Sequence, residues 1–259
     1  MSTLAAGVVA TLLSVGASAA TAIATRKVPF FRTRVVAFGA CTMTLIEGLL
    51  MCAMVNKPFD NTYFTINAVA SWMRYLSNLL AWMILFDSML LNKQARTNHG
   101  KREPYTAILV ACALGGLATA NLIVERTNPD PFRSEVVAQL SLATLFTPWA
   151  LVLLFFTAFF FRRHDIAQRI PFLVSGLLLS INPFYIFASV LVAVSQGSFN
   201  VYYVNVFRFI CGTILRDVVL FIAAFYNHSW LISPNTEAMI LSDGHSSPRA
   251  GSGEKIFSS

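Results

Sequence analysis

Seven continuous apolar runs, each 20 residues or longer, constrain this chain more than any other feature. A helix rises about 1.5 Å per residue, so each run can cross the roughly 30 Å hydrocarbon core of a bilayer. The runs do not alternate between apolar and polar residues, which favours helices over a β-barrel. The predicted spans are Leu4–Ile23, Val35–Met54, Phe64–Leu91, Tyr105–Val124, Val136–Phe161, Ile170–Val194 and Val201–Tyr226. The sequence therefore predicts an all-α membrane protein whose residues 1–226 form a seven-transmembrane helix bundle.

Composition supports a membrane location and argues against nucleic-acid binding. Hydrophobic residues make up 56% of the chain and charged residues 12%, outside the usual range of soluble domains. The formal charge of +7 comes mostly from cations in short loops between the runs. Three alternate loops hold the majority of them: Arg26, Lys27, Arg32, Arg34, Lys93, Arg96, Lys101, Arg102, Arg162, Arg163 and Arg169. The positive-inside rule then places the N-terminus outside and the C-terminus in the cytosol, in a membrane that the sequence does not identify.

The two ends of the chain have different compositions. Residues 227–259 are rich in Ser, Gly and Pro, which predicts a disordered cytosolic tail. The first run contains Ala17-Ser18-Ala19, which is similar to a signal-peptidase site. No positive residue precedes that run, however, and small residues recur along it at four-residue spacing: Ala6, Ala10, Ser14, Ser18 and Ala22. That spacing favours a retained helix packed closely against another helix.

Three further patterns bear on helix packing. The fourth span has two small-residue faces at the same spacing, Ala111–Gly115–Thr119 and Cys112–Gly116–Ala120. Pro148 and Pro183 fall inside spans, where a proline removes a backbone hydrogen bond and is expected to kink the helix. The four cysteines lie within spans, so they are interpreted as packed small residues, and no metal site is expected: Cys41, Cys52, Cys112 and Cys211.

Ionisable residues inside the spans are the strongest indication of function. Each costs roughly 2.5–3.5 kcal/mol at membrane depth on insertion scales, so it normally faces protein or water. These residues are Glu47, Arg74, Arg208, Arg216 and Asp217. Counting residues from the predicted outer ends places Glu47, Arg74 and Arg208 in one layer, about 10–15 Å deep. Arg216 and Asp217 are predicted to form a second, deeper layer.

Helical phase groups these residues into two polar stripes that would face each other across a cavity. On the third span the stripe is Ser71, Arg74 and Asn78, and on the seventh it is Asn205, Arg208, Gly212 and Arg216. Thr213 and Asp217 lie about a quarter-turn away from the second stripe. Three interpretations remain open: a ligand pocket, ion pairs that only fix helix packing, and an Arg208 that reaches the outer interface.

The Trp72-x-Arg74-Tyr75 run, Asp217-Val218 and Pro183 resemble microbial rhodopsins, seven-helix proteins with an outside N-terminus. The resemblance implies a similar bundle with the Trp-x-Arg-Tyr residues near the ligand. Phe221 stands where that family has its retinal-binding lysine, and Ser77 where it has a carboxylate counterion. The seventh span contains no Lys, so a retinal Schiff base is not available there. Receptor motifs of the G-protein-coupled class are missing as well.

The chain is also similar to two groups of fungal seven-helix proteins: lipid-translocation or stress proteins, and integral-membrane terpene cyclases. The cyclases use one acid in helix two and one in helix seven, positions that Glu47 and Asp217 match. Such an enzyme needs a buried carboxylic acid that stays protonated and can donate into an apolar cavity. Nearby arginines oppose this, because they keep an acid ionised.

Two functions follow from these patterns. The first is a buried polar pocket that binds or senses a small apolar or amphipathic ligand or lipid, without enzymatic chemistry or a cofactor. Its predicted ligand-binding residues are Arg74, Asn78, Arg208, Trp72 and Tyr75, with Trp82 and Trp149 in the aromatic wall. The alternative is a terpene-cyclase-like membrane enzyme with Glu47 and Asp217 as catalytic acids acting on a prenylated substrate. Whether the chain is an enzyme, and its oligomeric state, remain open at this stage.

Overall fold

A computed structural model describes residues 3–25, 31–55, 60–94, 103–127, 135–162, 169–196, 207 and 209–225. Within them the chain is helical and contains no strand. The helices are α1 (Thr3–Thr25), α2 (Phe31–Ala53), α3 (Asn61–Gln94), α4 (Glu103–Thr127), α5 (Glu135–Arg162), α6 (Arg169–Gln196) and α7 (Leu215–Phe225), and a π-helical turn (Ile210–Ile214) leads into α7. The predicted tail, residues 227–259, lies outside the described residues, as do most of the cationic loop residues.

The helices pack in chain order and close into a ring. Each of α1 to α5 contacts the next helix in sequence, α6 contacts α7, and α7 returns to α1. Helix α3 occupies the centre, since it also contacts α5, α6 and α7. The arrangement brings the polar residues of α2, α3 and α7 to the inside of one bundle.

Four described helices are long and apolar enough to cross a membrane: α1, α2, α5 and α6. Helix α4 has a shorter apolar stretch, Leu109–Val124. Large apolar side chains cover the outer faces of the long helices, including Leu12, Leu153 and Phe161, the last 85% exposed. A continuous apolar exterior of this kind is typical of a protein that contacts lipid.

The α1–α2 crossing is unusually close because two glycines meet there. A Cβ atom on Gly7 would lie 2.8 Å from the Cys52 backbone nitrogen, and one on Gly48 would lie 2.8 Å from the Thr11 backbone nitrogen. Backbone atoms cannot move aside as a side chain can, so only glycine fits at either position. The two helices are held in direct backbone contact.

The predicted small-residue stripe of α1 is correct at its start and wrong at its end. Ala6, Ala10 and Ser14 are buried, but Ala22 is exposed, and Ala17 and Thr21 are buried in the following turns. A stripe drawn every four residues drifts around a helix of 3.6 residues per turn, so it leaves the contact after three or four turns.

The two predicted faces of α4 have different environments. Gly115 packs against Leu76, and Thr119 accepts a hydrogen bond of 3.2 Å from the Trp72 Nε1, so this face contacts α3. On the other face Cys112 is exposed, and a Cβ atom on Gly116 would meet nothing within 4 Å. Among the described residues, the first face is therefore the one that packs against another helix.

Aromatic rings join α3, α5 and α6 at one end of the bundle. Phe155 is fully buried, lies 5.4 Å from Trp82 and 5.3 Å from Phe172 between ring centroids, and stacks along α5 with Phe159. A Cβ atom on Gly176 would overlap the Phe155 ring, so this glycine makes room for it. These rings form a packed apolar cluster between α3, α5 and α6.

The seventh span was predicted as one regular α-helix, but its described part is interrupted by a π-helical turn. Ile210–Ile214 forms a π-helical turn, in which the Leu215 N–H bonds to the Ile210 carbonyl five residues earlier. One π-turn shifts every later side chain around the axis relative to an unbroken α-helix. Of the predicted face, Gly212 lies next to Arg74 and Asn182 and Arg216 pairs with Glu47, whereas Asn205 and Arg208 lie outside the described residues.

Candidate functional site

Glu47 on α2 is the centre of a buried ion-pair network. Its Oε1 accepts hydrogen bonds from the Arg74 Nε at 2.6 Å and from the Thr213 hydroxyl at 2.8 Å. Its Oε2 pairs with the Arg216 Nη2 at 3.2 Å. Glu47 and Arg216 are both fully buried, and Arg74 is 12% exposed. One carboxylate thus ties α2 to α3 and to the seventh helix.

The two predicted charged layers are joined into one network, because the Arg216 side chain reaches Glu47. Arg216 also pairs through its Nε with the Asp217 Oδ1 at 3.3 Å, which adds Asp217 to the same network. Thr213, in the π-helical turn, and Arg216, in α7, both contact Glu47. The formal charges of the described residues in this network therefore balance: two cations, Arg74 and Arg216, and two anions, Glu47 and Asp217.

A line of hydroxyl groups fixes α3 against α2 beside these charges. The Thr44 and Ser77 hydroxyls lie 2.9 Å apart, and each also bonds to the Ala40 carbonyl. Both side chains are fully buried. Ser77 occupies the position of the counterion in the resembled family, and its bonds give it a place in helix packing.

A cavity of about 220 Å³ opens next to this network, between α3, α5, α6 and one residue of α4. Its polar lining consists of Ser71, Arg74, Tyr75, Asn78, Asn121, Thr144 and Asn182. Its apolar lining consists of Leu79, Trp82, Leu145, Pro148, Leu151, Leu179, Pro183 and Ile186. Both in-helix prolines thus lie in the wall of this inner cavity, where each leaves a backbone carbonyl without its usual donor.

A second cavity, of about 320 Å³, adjoins the first between α3, α4 and α5. The two share Ser71, Tyr75, Asn121 and Thr144 in their walls. Asn67, Trp72 and Arg126 line the second cavity alone, on the side of the α3 N-terminus. We call it the outer cavity. Together the two are in the size range of small-molecule sites, about 300–1,000 Å³.

Several polar groups of the inner cavity have unused hydrogen-bonding capacity. Within the described part of the chain, the Arg74 guanidinium uses only its Nε, on Glu47. The Asn182 Oδ1 is buried and has no partner. Asn78 donates from its Nδ2 to the Arg74 and Gly212 carbonyls, which leaves its Oδ1 unbonded among the described atoms. Such groups are costly to bury unless a ligand or water satisfies them.

The residues singled out from the sequence separate into three groups. Arg74, Asn78 and Tyr75 line the inner cavity, and Trp72 lines the outer cavity. Glu47 and Asp217 lie in the ion-pair network and are not in the wall of either described cavity. Arg208 lies outside the described residues.

Trp149, expected in the aromatic wall, packs instead against α6, 4.4 Å from Phe184 between ring centroids. Sequence reasoning missed Asn121 and Asn182, which both line the inner cavity. The available signal was a single amide in each of two otherwise apolar spans, at a depth where polar groups are costly.

The chain matches no protein-family model, no curated protein and no solved structure. Among the described residues no group of three or more His, Cys, Asp or Glu is placed to hold a metal ion. What the site can do therefore follows from its own geometry.

Proposed function

We propose that this chain is a seven-transmembrane protein that binds a small apolar or amphipathic molecule in the inner cavity. The observation that carries the proposal is the inner cavity itself. It combines an apolar wall with Arg74 and three asparagines, the pattern of a ligand site in which a few polar groups set orientation.

The seven-span arrangement is supported by the closed ring of helices. The four strongly apolar helices all belong to this ring, and α2, α3 and α7 carry the buried charges inside it. Packing also favours a retained first helix, since α1 buries Ala10 and Ala17 completely and contacts both α2 and α7. The N-terminus is outside and the C-terminus cytosolic in this proposal, following the loop charges.

The enzymatic alternative receives no support from the position of its acids. Both carboxylate oxygens of Glu47 accept hydrogen bonds, and two of the three donors are arginines. This arrangement favours the ionised form of the carboxylate. Asp217 pairs with Arg216 within the same network. A proton donor must reach its substrate, and neither acid lines a described cavity. The catalytic roles of Glu47 and Asp217 remain predictions, and the arrangement fits a structural role better.

Filling the inner cavity is the direct test of ligand binding. Ile186→Trp adds a large side chain to the cavity wall, and Ile181→Trp adds the same side chain to the exposed face of the same helix. We expect small apolar molecules to remain bound to the wild type and to Ile181→Trp, and to be lost from Ile186→Trp, because the volume is occupied.

The measurement is mass spectrometry of small molecules that remain with the protein purified in lipid nanodiscs. Circular dichroism of each variant checks that its helix content is unchanged. If a folded Ile186→Trp variant retains the same molecules at the same occupancy as the wild type, the inner cavity is not their binding site.

A further inference from the structure

We infer that the inner cavity selects a single-chain amphiphile with an uncharged, hydroxyl-bearing head, such as a long-chain alcohol, over the corresponding acid or hydrocarbon. This inference rests on the proposed function and adds to it the chemical class of the ligand. Three features carry it: the shape of the cavity, the charge balance beside it and the hydrogen-bonding groups in its wall.

The residues that line the cavity are spread along α3. Its α3 wall runs from Ser71 to Trp82, a distance of about 16 Å at 1.5 Å per residue. A volume of about 220 Å³ over that length favours a single extended chain over a branched or two-chain lipid, and we call this elongated space the slot.

The end of the slot nearest Trp82 is apolar. Leu79, Trp82, Leu151 and Leu179 belong to the main apolar core and line one end. Arg74 and Asn182 lie close together nearer the other end. A Cβ atom on Gly212 would be 3.1 Å from the Arg74 Cδ and 3.2 Å from the Asn182 Oδ1. The ligand head therefore belongs beside Arg74 and Asn182, and its tail extends toward Trp82.

Charge balance favours an uncharged head. Glu47, in direct contact with the Arg74 Nε, already compensates the Arg74 charge, and Arg216 pairs with both Glu47 and Asp217. An ionised carboxylate in the slot would add a negative charge to a set that is already balanced among the described residues. Burying a charge without a counter-charge costs far more than burying a neutral polar group.

The hydrogen-bonding groups fit a hydroxyl. The terminal amino groups of Arg74 can donate to the head, and the carbonyl oxygens of Asn182 or Asn78 can accept from it. A hydroxyl both accepts and donates, so one such group satisfies Arg74 and one asparagine together. An alkyl end would leave the buried amide of Asn182 unsatisfied, which disfavours a plain hydrocarbon.

Fluorescence quenching tests the inference with three probes of equal chain length, each carrying a terminal bromine: an ω-bromo alcohol, an ω-bromo carboxylate and a 1-bromoalkane. The full chain is held in neutral phosphatidylcholine nanodiscs with Trp82 as its only tryptophan, after Trp72→Phe, Trp149→Phe and Trp230→Phe. Trp82 lies eight residues from Arg74, about 12 Å along α3, within reach of the bromine when the head is at Arg74.

We expect the alcohol to quench Trp82 at a concentration at least about tenfold lower than the carboxylate, because only the carboxylate brings an uncompensated charge. Asn182→Leu should weaken alcohol binding about fivefold, the loss of one hydrogen bond, and should strengthen bromoalkane binding, because the unsatisfied amide is gone. Ser189→Ala, which removes a hydroxyl of α6 that bonds its own backbone, should change neither.

The outcomes separate the two proposals. If none of the three probes binds, both the proposed function and this inference fail. If probes bind but the carboxylate or the bromoalkane binds at least as tightly as the alcohol, ligand binding stands and the head-group assignment is overturned. The same holds if Asn182→Leu leaves alcohol binding unchanged. Equilibrium dialysis of the alcohol and the carboxylate against the unsubstituted protein repeats the comparison where the tryptophan replacements prevent folding.

Discussion

At the scale of single residues, Glu47 determines how the charged interior is arranged. It is the sole carboxylate among the described residues that contacts both Arg74 and Arg216, and Thr213 adds a hydrogen bond to it. Removing one partner of a buried ion pair costs about 3–5 kcal/mol, because the remaining charge is left uncompensated. The integrity of the network therefore depends on Glu47 more than on either arginine.

Glu47→Gln is expected to lower the free energy of unfolding by about 3–5 kcal/mol, since it leaves both arginines without this carboxylate while preserving side-chain volume. The measurement is denaturant unfolding in mixed micelles, followed by circular dichroism. A double variant, Glu47→Gln with Arg216→Gln, removes one cation as well and should recover part of the loss. Equal unfolding of the wild type and the single variant would show that the ion pairs contribute nothing to stability.

How far the sequence predicted the site depends on the residue. Equal depth correctly placed Glu47 near Arg74, because depth in a membrane helix follows from counting residues. Arg216 was assigned to a deeper layer, because neither its side-chain length nor the π-helical turn before it enters such a count. The Asn182 contact with the cavity depends on the rotation of α6 within the bundle, which a single apolar sequence does not fix.

At the scale of the helices, the α1–α2 pair is held by backbone contact at two glycines. Gly48→Ala is expected to lower the free energy of unfolding by about 1–3 kcal/mol, because the added methyl group meets the Thr11 backbone and forces the helices apart. Gly116→Ala is the matched control, since nothing lies within 4 Å of its Cβ position and alanine is the better helix former.

Both variants are compared by thermal unfolding under the same detergent conditions. The control should unfold at or slightly above the wild-type temperature and Gly48→Ala clearly below it. Equal shifts for the two variants would mean that the α1–α2 crossing is looser than the distances between Gly48 and Thr11 indicate.

The bounds of α1 to α6 were predictable to within about four residues, since length and hydropathy determine a membrane helix almost alone. Helix α3 extends from Asn61 to Gln94, beyond its predicted limits of Phe64–Leu91, because helices continue into the polar interface where hydropathy no longer marks them. The π-helical turn had no sequence signal. It is stabilised by tertiary contacts, such as the Asn78 hydrogen bond to the Gly212 carbonyl.

At the scale of the whole molecule, the loop charges predict which ends of the helices face the cytosol. Asn61 at the start of α3 and Gln94 at its end then lie on opposite sides of the membrane. A membrane-impermeant maleimide added outside intact cells should label Asn61→Cys and leave Gln94→Cys unlabelled. The parent chain is the control, because its four cysteines lie within helices or spans. Labelling of Gln94→Cys but not of Asn61→Cys would show that the orientation is the reverse of the one proposed.

The Glu47 network also has a consequence for the order of assembly during synthesis. Glu47 belongs to the first helical hairpin, but Arg74 follows it by 27 residues and Arg216 by 169. At about 5–20 residues per second, roughly 10–30 s pass between translation of the carboxylate and of its last partner. For that interval Glu47 has Arg74 as its only described ion-pair partner, and its bonds to Arg216 and Thr213 form only after the last helix is made. In the proposed seven-span arrangement, closure of the ring and completion of the Glu47 network are therefore the same late event in biogenesis.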